Sequence, residues 1–294
     1  MTPAMPARGL IALLRLPYWL MTGGLSLLTA FAITKDPLSL SIQTILLIFF
    51  SMAFITSAGF AINDYFDRES DAVIKPKRPI PSGALSLKQV VAISGLLFVI
   101  GLIMSSFINW LSFAIIAVDS LLLLIYSTLV KRKSGFVANA LVGILTGTAF
   151  MYGQATISNT VSLISLSLYP IAFGTIGGNV LRDILSIEGD SKTGYPTLPQ
   201  KIGSTNSAKV AALFFTLTGL LAPLPFFIGE FSVYYLPLIL LWSVLLIYSS
   251  IRLVTSASTV ANVRKYERIV TMSMILLPLA LIIEALSPMI GGLL

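Results

Sequence analysis

The 294-residue chain contains no cysteine and no histidine. Without cysteine it can form no disulfide and has no thiolate nucleophile, although this absence does not identify the compartment. Without histidine it lacks the side chain that most often transfers protons near neutral pH, the common zinc sites and imidazole ligation of haem. Acid–base, metal or anion chemistry must therefore come from carboxylates, amides, hydroxyls and basic side chains.

Charged residues are also scarce. They make up 11% of the chain, against about 25% in a typical soluble domain, and the mean hydropathy is +0.93. Apolar stretches of about 20 residues, long enough to cross a bilayer as helices, recur along the whole length. These properties predict an all-α, multi-pass membrane bundle of nine transmembrane helices. The predicted spans are residues 12–33, 42–62, 88–108, 110–130, 136–156, 161–181, 208–229, 232–253 and 268–290.

We found no linker, low-complexity segment or soluble domain, so we expect residues 1–294 to form a single membrane domain. The N-terminal apolar run could be mistaken for a secretory signal. It contains Arg15 and Pro17, however, and continues for a full span without a small-residue cleavage site. We therefore interpret it as the first retained helix.

The basic residues follow the predicted topology. Eighteen of the 19 lysines and arginines lie before or early in span one or near the loops after even-numbered spans, whereas Lys35 is the exception. Cytoplasmic loops of membrane proteins are enriched in such residues. The pattern predicts a cytoplasmic N-terminus. The basic residues that give the net charge of +7 thus orient the protein in the cell membrane. We therefore expect no nucleic-acid partner.

Seven of the twelve acidic residues lie in two of the basic loops, after spans two and six. The two positions are four spans apart, which suggests a weak internal repeat. In the first loop, Asn63, Asp67 and Asp71 are spaced by four residues, so they would form one stripe on a helix that continues from span two. Because like charges at this spacing repel each other, we expect a cation between them.

In the second loop, Asp183 and Asp190 would share a face if the helix continued, although Gly189 argues against such continuation. Carboxylate and amide oxygens suit Mg²⁺ that also bridges phosphate oxygens, and the first loop supplies cations that suit phosphate. These cations are Arg68, Lys75, Lys77 and Arg78. The alternative is a pair of ordinary charged loops with helix-capping acids. Two matching loops favour a paired metal–diphosphate site.

Three motifs carry a resemblance to a known family. The segment NDYFDRESD, followed by KPKRPIPSGALS, resembles the N-D-x-x-D-x-x-x-D signature of the UbiA-type intramembrane prenyltransferases. RDILSIEGDSKTGYPTLPQKIG is similar to their second acidic signature, and YSTLVKR to a Tyr and Lys motif after helix four. The motifs occur in the family's order, nine helices is the family's number, and the resemblance covers nearly the whole chain.

The resemblance implies Mg²⁺-dependent transfer of an isoprenyl group from an isoprenyl diphosphate to a lipophilic acceptor inside the membrane, at a site that opens to the cytoplasm. It implies metal binding by a set of five residues, Asn63, Asp67, Asp71, Asp183 and Asp190. It places Asp64 beside them and makes Tyr126, Lys131 and Arg78 candidate diphosphate contacts. The chain departs from the family at Ser186, where an aspartate is usual, and at Gly178 and Asn179, which replace an Arg-Glu pair.

Two polar residues interrupt apolar runs. Asp119 lies near the middle of span four, where an unpaired charge costs at least a few kcal/mol. It is seven residues before Tyr126 and should face the same cavity, either as an acceptor contact or proton acceptor, or as a neutral or paired structural residue. Arg15 either extends to the cytoplasmic interface or reaches the diphosphate or an acidic acceptor head group.

Other functions remain open at this point. A transporter that uses the acidic loops as cation sites would need several charges near mid-bilayer, whereas Asp119 is the clear example here. A phosphatidyl-alcohol transferase would need an Asp-Gly…Ala-Arg…Gly pattern that is missing. Within the prenyltransferases, RPIPSG and EGD…TLP are similar to the archaeal branch that acts on geranylgeranylglyceryl phosphate for ether lipids. They are also similar to the quinone and chlorophyll branches. We favour the lipid branch.

Overall fold

A computed structural model describes residues 6–191, 196–257 and 259–292. Lys192, one of the basic residues of the second acidic loop, lies outside these ranges. Within them the chain is helical without a strand, and nine helices are long and apolar enough to cross a membrane. The expected all-α, nine-helix architecture is confirmed for these residues. The spans are Ala7–Thr34, Ile42–Phe66, Leu87–Ser106, Trp110–Lys133, Gly135–Ser158, Leu163–Leu185, Leu198–Phe227, Val233–Thr255 and Val260–Ala285.

Spans seven and nine begin earlier than their apolar runs predict. In span seven, Pro199 lies in the first turn and the Gln200 side chain accepts a hydrogen bond from the Thr197 backbone N–H at 3.1 Å. Span nine begins after Thr259, whose hydroxyl accepts from the Asn262 N–H at 3.3 Å. These capped first turns are polar, so a search for apolar residues does not detect them.

The spans pack in a closed order. Each packs against the next, the ninth packs against the first, and the first and fifth also touch across the ring. Glycine makes the fifth span's close approaches possible. A Cβ at Gly153 would lie 2.5 Å from the Ser26 carbonyl oxygen, and one at Gly143 would lie 2.4 Å from Ile176 Cγ1. The fifth span thus holds the two halves of the bundle together.

An ion pair joins the loop after span one to span nine, on the side of the bundle away from the acidic loops. Glu284 is fully buried and lies 3.4 Å from Lys35 Nζ. It also accepts hydrogen bonds from the Ser232 N–H at 3.0 Å and from the Ser232 hydroxyl at 2.5 Å. Lys35, the exception to the alternating pattern of basic residues, therefore has a structural partner.

Span one is broken at Arg15, and this break shapes the site. Arg15 has φ 51°, in the left-handed region, between the helices Pro6–Leu14 and Pro17–Trp19. Proline has no N–H to continue the helix ladder. The Leu14 carbonyl, released by the break, accepts from Ser57 Oγ at 2.7 Å and Trp19 Nε1 at 3.2 Å. Because its freed carbonyl is satisfied, the break is a stable feature of the fold.

Candidate active site

A cavity of about 360 Å³ lies inside the bundle, lined by spans one, two, four, five and six and by the loop after span two. Its polar end contains Asn63, Lys131 and Asp183, and its apolar wall includes Met52 and Leu145. Residues from all three family motifs therefore meet at one cavity.

The first acidic motif forms the predicted stripe. Backbone hydrogen bonds run from Asp67 N to Asn63 O at 2.9 Å and from Asp71 N to Asp67 O at 2.8 Å, so helical bonding continues past the end of span two. The three side chains are 4–8% exposed. Asn63 Nδ2 donates to Asp67 Oδ2 at 2.7 Å, whereas Asn63 Oδ1 is buried without a hydrogen-bond partner. An orphaned amide oxygen beside carboxylates is a suitable donor for a hard cation.

Basic side chains neutralise these buried carboxylates. Lys131 forms an ion pair with Asp67. Arg78 Nη1 lies 2.5 Å from Asp71 Oδ2 and 2.9 Å from Asp64 Oδ1, so it bridges the two acids. The expected positive charge between the aspartates is therefore supplied, in this structure, by side chains. All of these cations lie where they could instead bind phosphate oxygens.

Arg15 points into the bundle. Its Nη2 lies 2.5 Å from Asp64 Oδ1, and its guanidinium carbon lies 4.2 Å from the centroid of the Phe60 ring. The broken helix, the salt bridge and the cation–π contact hold the side chain at the edge of the cavity. Arg15 therefore lines the cavity, and its contact with a diphosphate or an acceptor head group stays a prediction.

Tyr126 and Lys131 both line the cavity because of an unusual helical turn. Residues Tyr126–Val130 form a π-helix, in which the Lys131 backbone N–H donates to the Tyr126 carbonyl five residues earlier. This i to i+5 bonding brings the two residues close to one face, whereas an α-helix would separate them. Such turns are frequent at functional sites.

The second acidic motif is arranged differently from the first. Span six ends at Leu185, and Ile187–Ser191 forms a separate short helix, so the helix breaks at Ser186 rather than at Gly189. Asp183 lines the cavity, whereas Asp190 does not and accepts from Ser186 Oγ at 2.6 Å. The helix therefore does not continue from Asp183 to Asp190, so the condition for a shared helical face is not met. Residues 192–195 of this motif lie outside the described ranges.

Sequence analysis missed several polar residues of the cavity, among them Asn139, Asn179 and Arg182. Asn139 Nδ2 donates to Asp183 Oδ2 at 2.7 Å. Asn179, noted as a departure from the family, and Arg182 line the cavity, and Arg182 Nη1 donates to Asn179 Oδ1 at 3.1 Å. The one available signal was the presence of amides in otherwise apolar helices.

Asp119 lines the same cavity as Tyr126, as predicted. Its side chain is 2% exposed, and Oδ2 accepts from Thr148 Oγ1 at 2.8 Å. The other oxygen, Oδ1, is buried without a hydrogen-bond partner. Buried polar atoms normally have partners, so this oxygen could receive a hydrogen bond from a ligand.

The donor set suits Mg²⁺ together with a diphosphate. In the described parts of the chain, no three acidic side chains converge on one metal position. Mg²⁺ usually takes one or two carboxylates and completes its shell with water and substrate phosphate oxygens. The stripe of Asn63, Asp67 and Asp71 offers ligands of this kind, and Asp183 lines the same cavity as Asn63.

Comparisons with known proteins point to one family. The model of the UbiA prenyltransferase family matches residues 19–277. A digeranylgeranylglyceryl phosphate synthase from Natronomonas pharaonis is 36% identical over 231 residues, which cover 78% of this chain and 81% of the relative.

Two solved structures share the fold. A digeranylgeranylglyceryl phosphate synthase superposes with a TM-score of 0.82 at 28% identity, over 96% of this chain and 99% of that chain. A UbiA homologue from Archaeoglobus fulgidus, bound to GPP and Mg²⁺, has a TM-score of 0.72 at 21% identity, over 95% of this chain and 99% of that chain. At this lower identity the likeness shows the fold alone.

Proposed function

The chain belongs to the UbiA prenyltransferase family, and on that premise we propose that it transfers a geranylgeranyl group from geranylgeranyl diphosphate to geranylgeranylglyceryl phosphate within the membrane. The observation that carries the proposal is the cavity itself. At one end it gathers the Asp183 carboxylate, the orphaned Asn63 amide oxygen and basic side chains, and its wall beyond them is largely apolar. The curated relative named for this synthesis supports the choice of acceptor.

The polar end would bind the diphosphate. Asn63, Asp67, Asp71 and Asp183 would hold Mg²⁺, whereas Asp190, which does not line the cavity, stays a candidate ligand on the family resemblance alone. When bound, Mg²⁺ supplies Lewis-acid stabilisation of the negative charge that develops on the leaving group. The cations that now pair with the aspartates would contact phosphate oxygens directly. These contacts are Lys131 and Arg78, with the Tyr126 hydroxyl beside them.

The chemistry follows from the charge arrangement. The allylic C–O bond breaks, its electron pair leaves with the diphosphate, the acceptor hydroxyl oxygen attacks the allylic carbon, and the hydroxyl proton passes to an oxygen of the released diphosphate. Basic side chains aimed at the leaving group stabilise the developing charge, because they act in a site with little water. The apolar wall, including Met52 and Leu145, excludes the water that would otherwise capture the cation.

We also propose that the polar end of the cavity opens to the cytoplasm in the cell membrane. Eighteen of the 19 basic residues lie early in span one or near the loops after even-numbered spans, the side that carries the acidic motifs. Apolar residues such as Leu96, Val244 and Met272 are exposed on the outer surface of the bundle, which suits contact with lipid tails.

The test is reconstitution of the purified protein with Mg²⁺, geranylgeranyl diphosphate and candidate acceptors, followed by product identification by mass. We expect digeranylgeranylglyceryl phosphate and one equivalent of pyrophosphate, and loss of both when EDTA removes Mg²⁺. Prenylation of an aromatic acceptor, without reaction of geranylgeranylglyceryl phosphate, would overturn the proposed acceptor.

A further inference from the structure

A second cavity, of about 340 Å³, lies beside the first. It is formed between the N-terminal helix Pro6–Leu14 and the segment that follows the first acidic motif. Its charged lining consists of four cations and one carboxylate, Arg15, Lys75, Lys77, Arg78 and Asp64. Arg15 and Arg78 also line the first cavity, so the two cavities share a wall of guanidinium groups.

The positive charge of this second cavity exceeds its negative charge. Asp64 is 3% exposed, and its salt bridges go to Arg15 and Arg78. Lys75 and Lys77 form no ion pair with a carboxylate in residues 6–191, 196–257 or 259–292. Burial, and then the positive charge of Arg78, lower the pKa of Lys75. Asp64 alone cannot neutralise the four basic side chains of this cavity. A site with such an excess of positive charge suits an anion.

We propose that this second cavity binds the phosphomonoester head group of the acceptor lipid, with Lys75, Lys77 and Arg15 as its contacts. The inference rests on the proposed function, in which the first cavity holds the donor diphosphate and the acceptor brings a separate phosphate. In glyceryl phosphates the free hydroxyl and the phosphate ester lie on neighbouring carbons. A phosphate in the second cavity therefore places the hydroxyl near the shared wall, close to the carbon that it attacks.

The N-terminal helix gives the acceptor's hydrocarbon a surface to lie against. Leu13 is fully buried against the segment, and a Cβ at Gly9 would lie 3.0 Å from Ala84 Cβ, so one face of the helix is tightly packed. Leu10 and Ile11 of the same helix are exposed, at 38% and 57%. An amphiphile can thus keep its head group among the cations and its chain in an apolar environment.

The left-handed backbone of Arg15 fits this role. A non-glycine residue keeps such a conformation only where its surroundings hold it, and residues of this kind cluster at ligand sites. Here it directs the guanidinium to Asp64, at the wall between the two cavities.

The experiment compares two acceptors in the wild-type protein and in the double variant Lys75→Ala/Lys77→Ala. The first acceptor is geranylgeranylglyceryl phosphate, and the second is the same molecule without its phosphate. Lys88→Ala is the matched control, because Lys88 is an exposed lysine that begins span three and lines neither cavity. Melting temperatures of all variants verify folding.

We expect the double variant to raise the KM of the phosphorylated acceptor about tenfold or more, because hydrogen bonds between charged groups are stronger than neutral ones. The KM of the dephosphorylated acceptor, the KM of the donor and the inhibition constant of pyrophosphate should change less than about twofold. Lys88→Ala should leave all four constants unchanged.

Three outcomes would overturn the inference. Equal losses for both acceptors would indicate a structural role. A larger KM for the donor, or weaker inhibition by pyrophosphate, would assign the cavity to the diphosphate instead. Unchanged constants would leave no phosphate site there. If the wild-type protein does not use geranylgeranylglyceryl phosphate at all, the proposed function fails, and this inference fails with it. If the wild-type protein uses this acceptor but the double variant gives one of the three outcomes above, this inference alone fails.

Discussion

Replacement of Asp67 by asparagine tests the proposed metal site most directly. The change keeps the size of the side chain but removes the negative charge that pairs with Lys131 and accepts from Asn63. Asp67 is also central in the stripe, 5% exposed and four residues from each neighbouring ligand candidate. We therefore expect Asp67→Asn to weaken metal binding and catalysis together.

The magnitude follows from the contacts. Loss of a group that merely supports a metal ligand typically costs 10–100-fold in affinity or activity. Asp67 is proposed as a ligand itself, so we expect kcat to fall at least about 100-fold, equivalent to about 2.7 kcal/mol in the activation barrier. Breaking a fully buried ion pair costs about 3–5 kcal/mol of stability. Because a quarter of the Lys131 side chain is exposed, we expect a smaller loss of about 1–2 kcal/mol.

The assay is product formation by mass at a series of Mg²⁺ concentrations, with a thermal melt of each protein. Glu69→Gln is the matched control, because Glu69 lies two residues after Asp67, in the first turn of the short helix Arg68–Ile74, but its side chain is 87% exposed. Activity of Asp67→Asn within threefold of wild type across the Mg²⁺ series would refute the metal-site assignment. So would an equal loss in Glu69→Gln.

Three further predictions concern other parts of the chain. Ser186→Asp restores the family carboxylate four residues before Asp190, and we expect it to lower the Mg²⁺ concentration for half-maximal rate; a higher requirement, measured in the same titration, would contradict a metal role for this loop. Asp119→Asn should raise the acceptor KM or slow turnover with little change in donor KM, whereas a lower melting temperature with equal changes in both KM values would make the residue structural. Glu284→Leu should lower the melting temperature and leave both KM values within about twofold, because it removes buried hydrogen bonds and leaves Lys35 without its acid, far from the cavity. A selective effect on either KM would refute that separation of stability from function.

The amino-acid sequence predicted the features that depend on neighbouring residues. Nine apolar runs predicted nine spans because backbone groups in lipid must be satisfied within a helix. The four-residue spacing of Asn63, Asp67 and Asp71 predicted a stripe, since helical periodicity places such residues on one face, and the backbone hydrogen bonds agree. The helix break at Ser186 was not predicted from the sequence, because neither proline nor glycine occupies that position.

The tertiary structure decided which groups meet. Arg15 contacts Asp64, which is 49 positions away in the sequence, and Asn139 donates a hydrogen bond to Asp183, which is 44 positions away. The second basic cavity likewise exists because the N-terminal helix packs beside the segment after span two. The physical reason is that hydropathy specifies that a helix enters the membrane but not which helices adjoin it. That choice depends on close packing at small residues and on the pairing of buried charges, and both require the complete bundle.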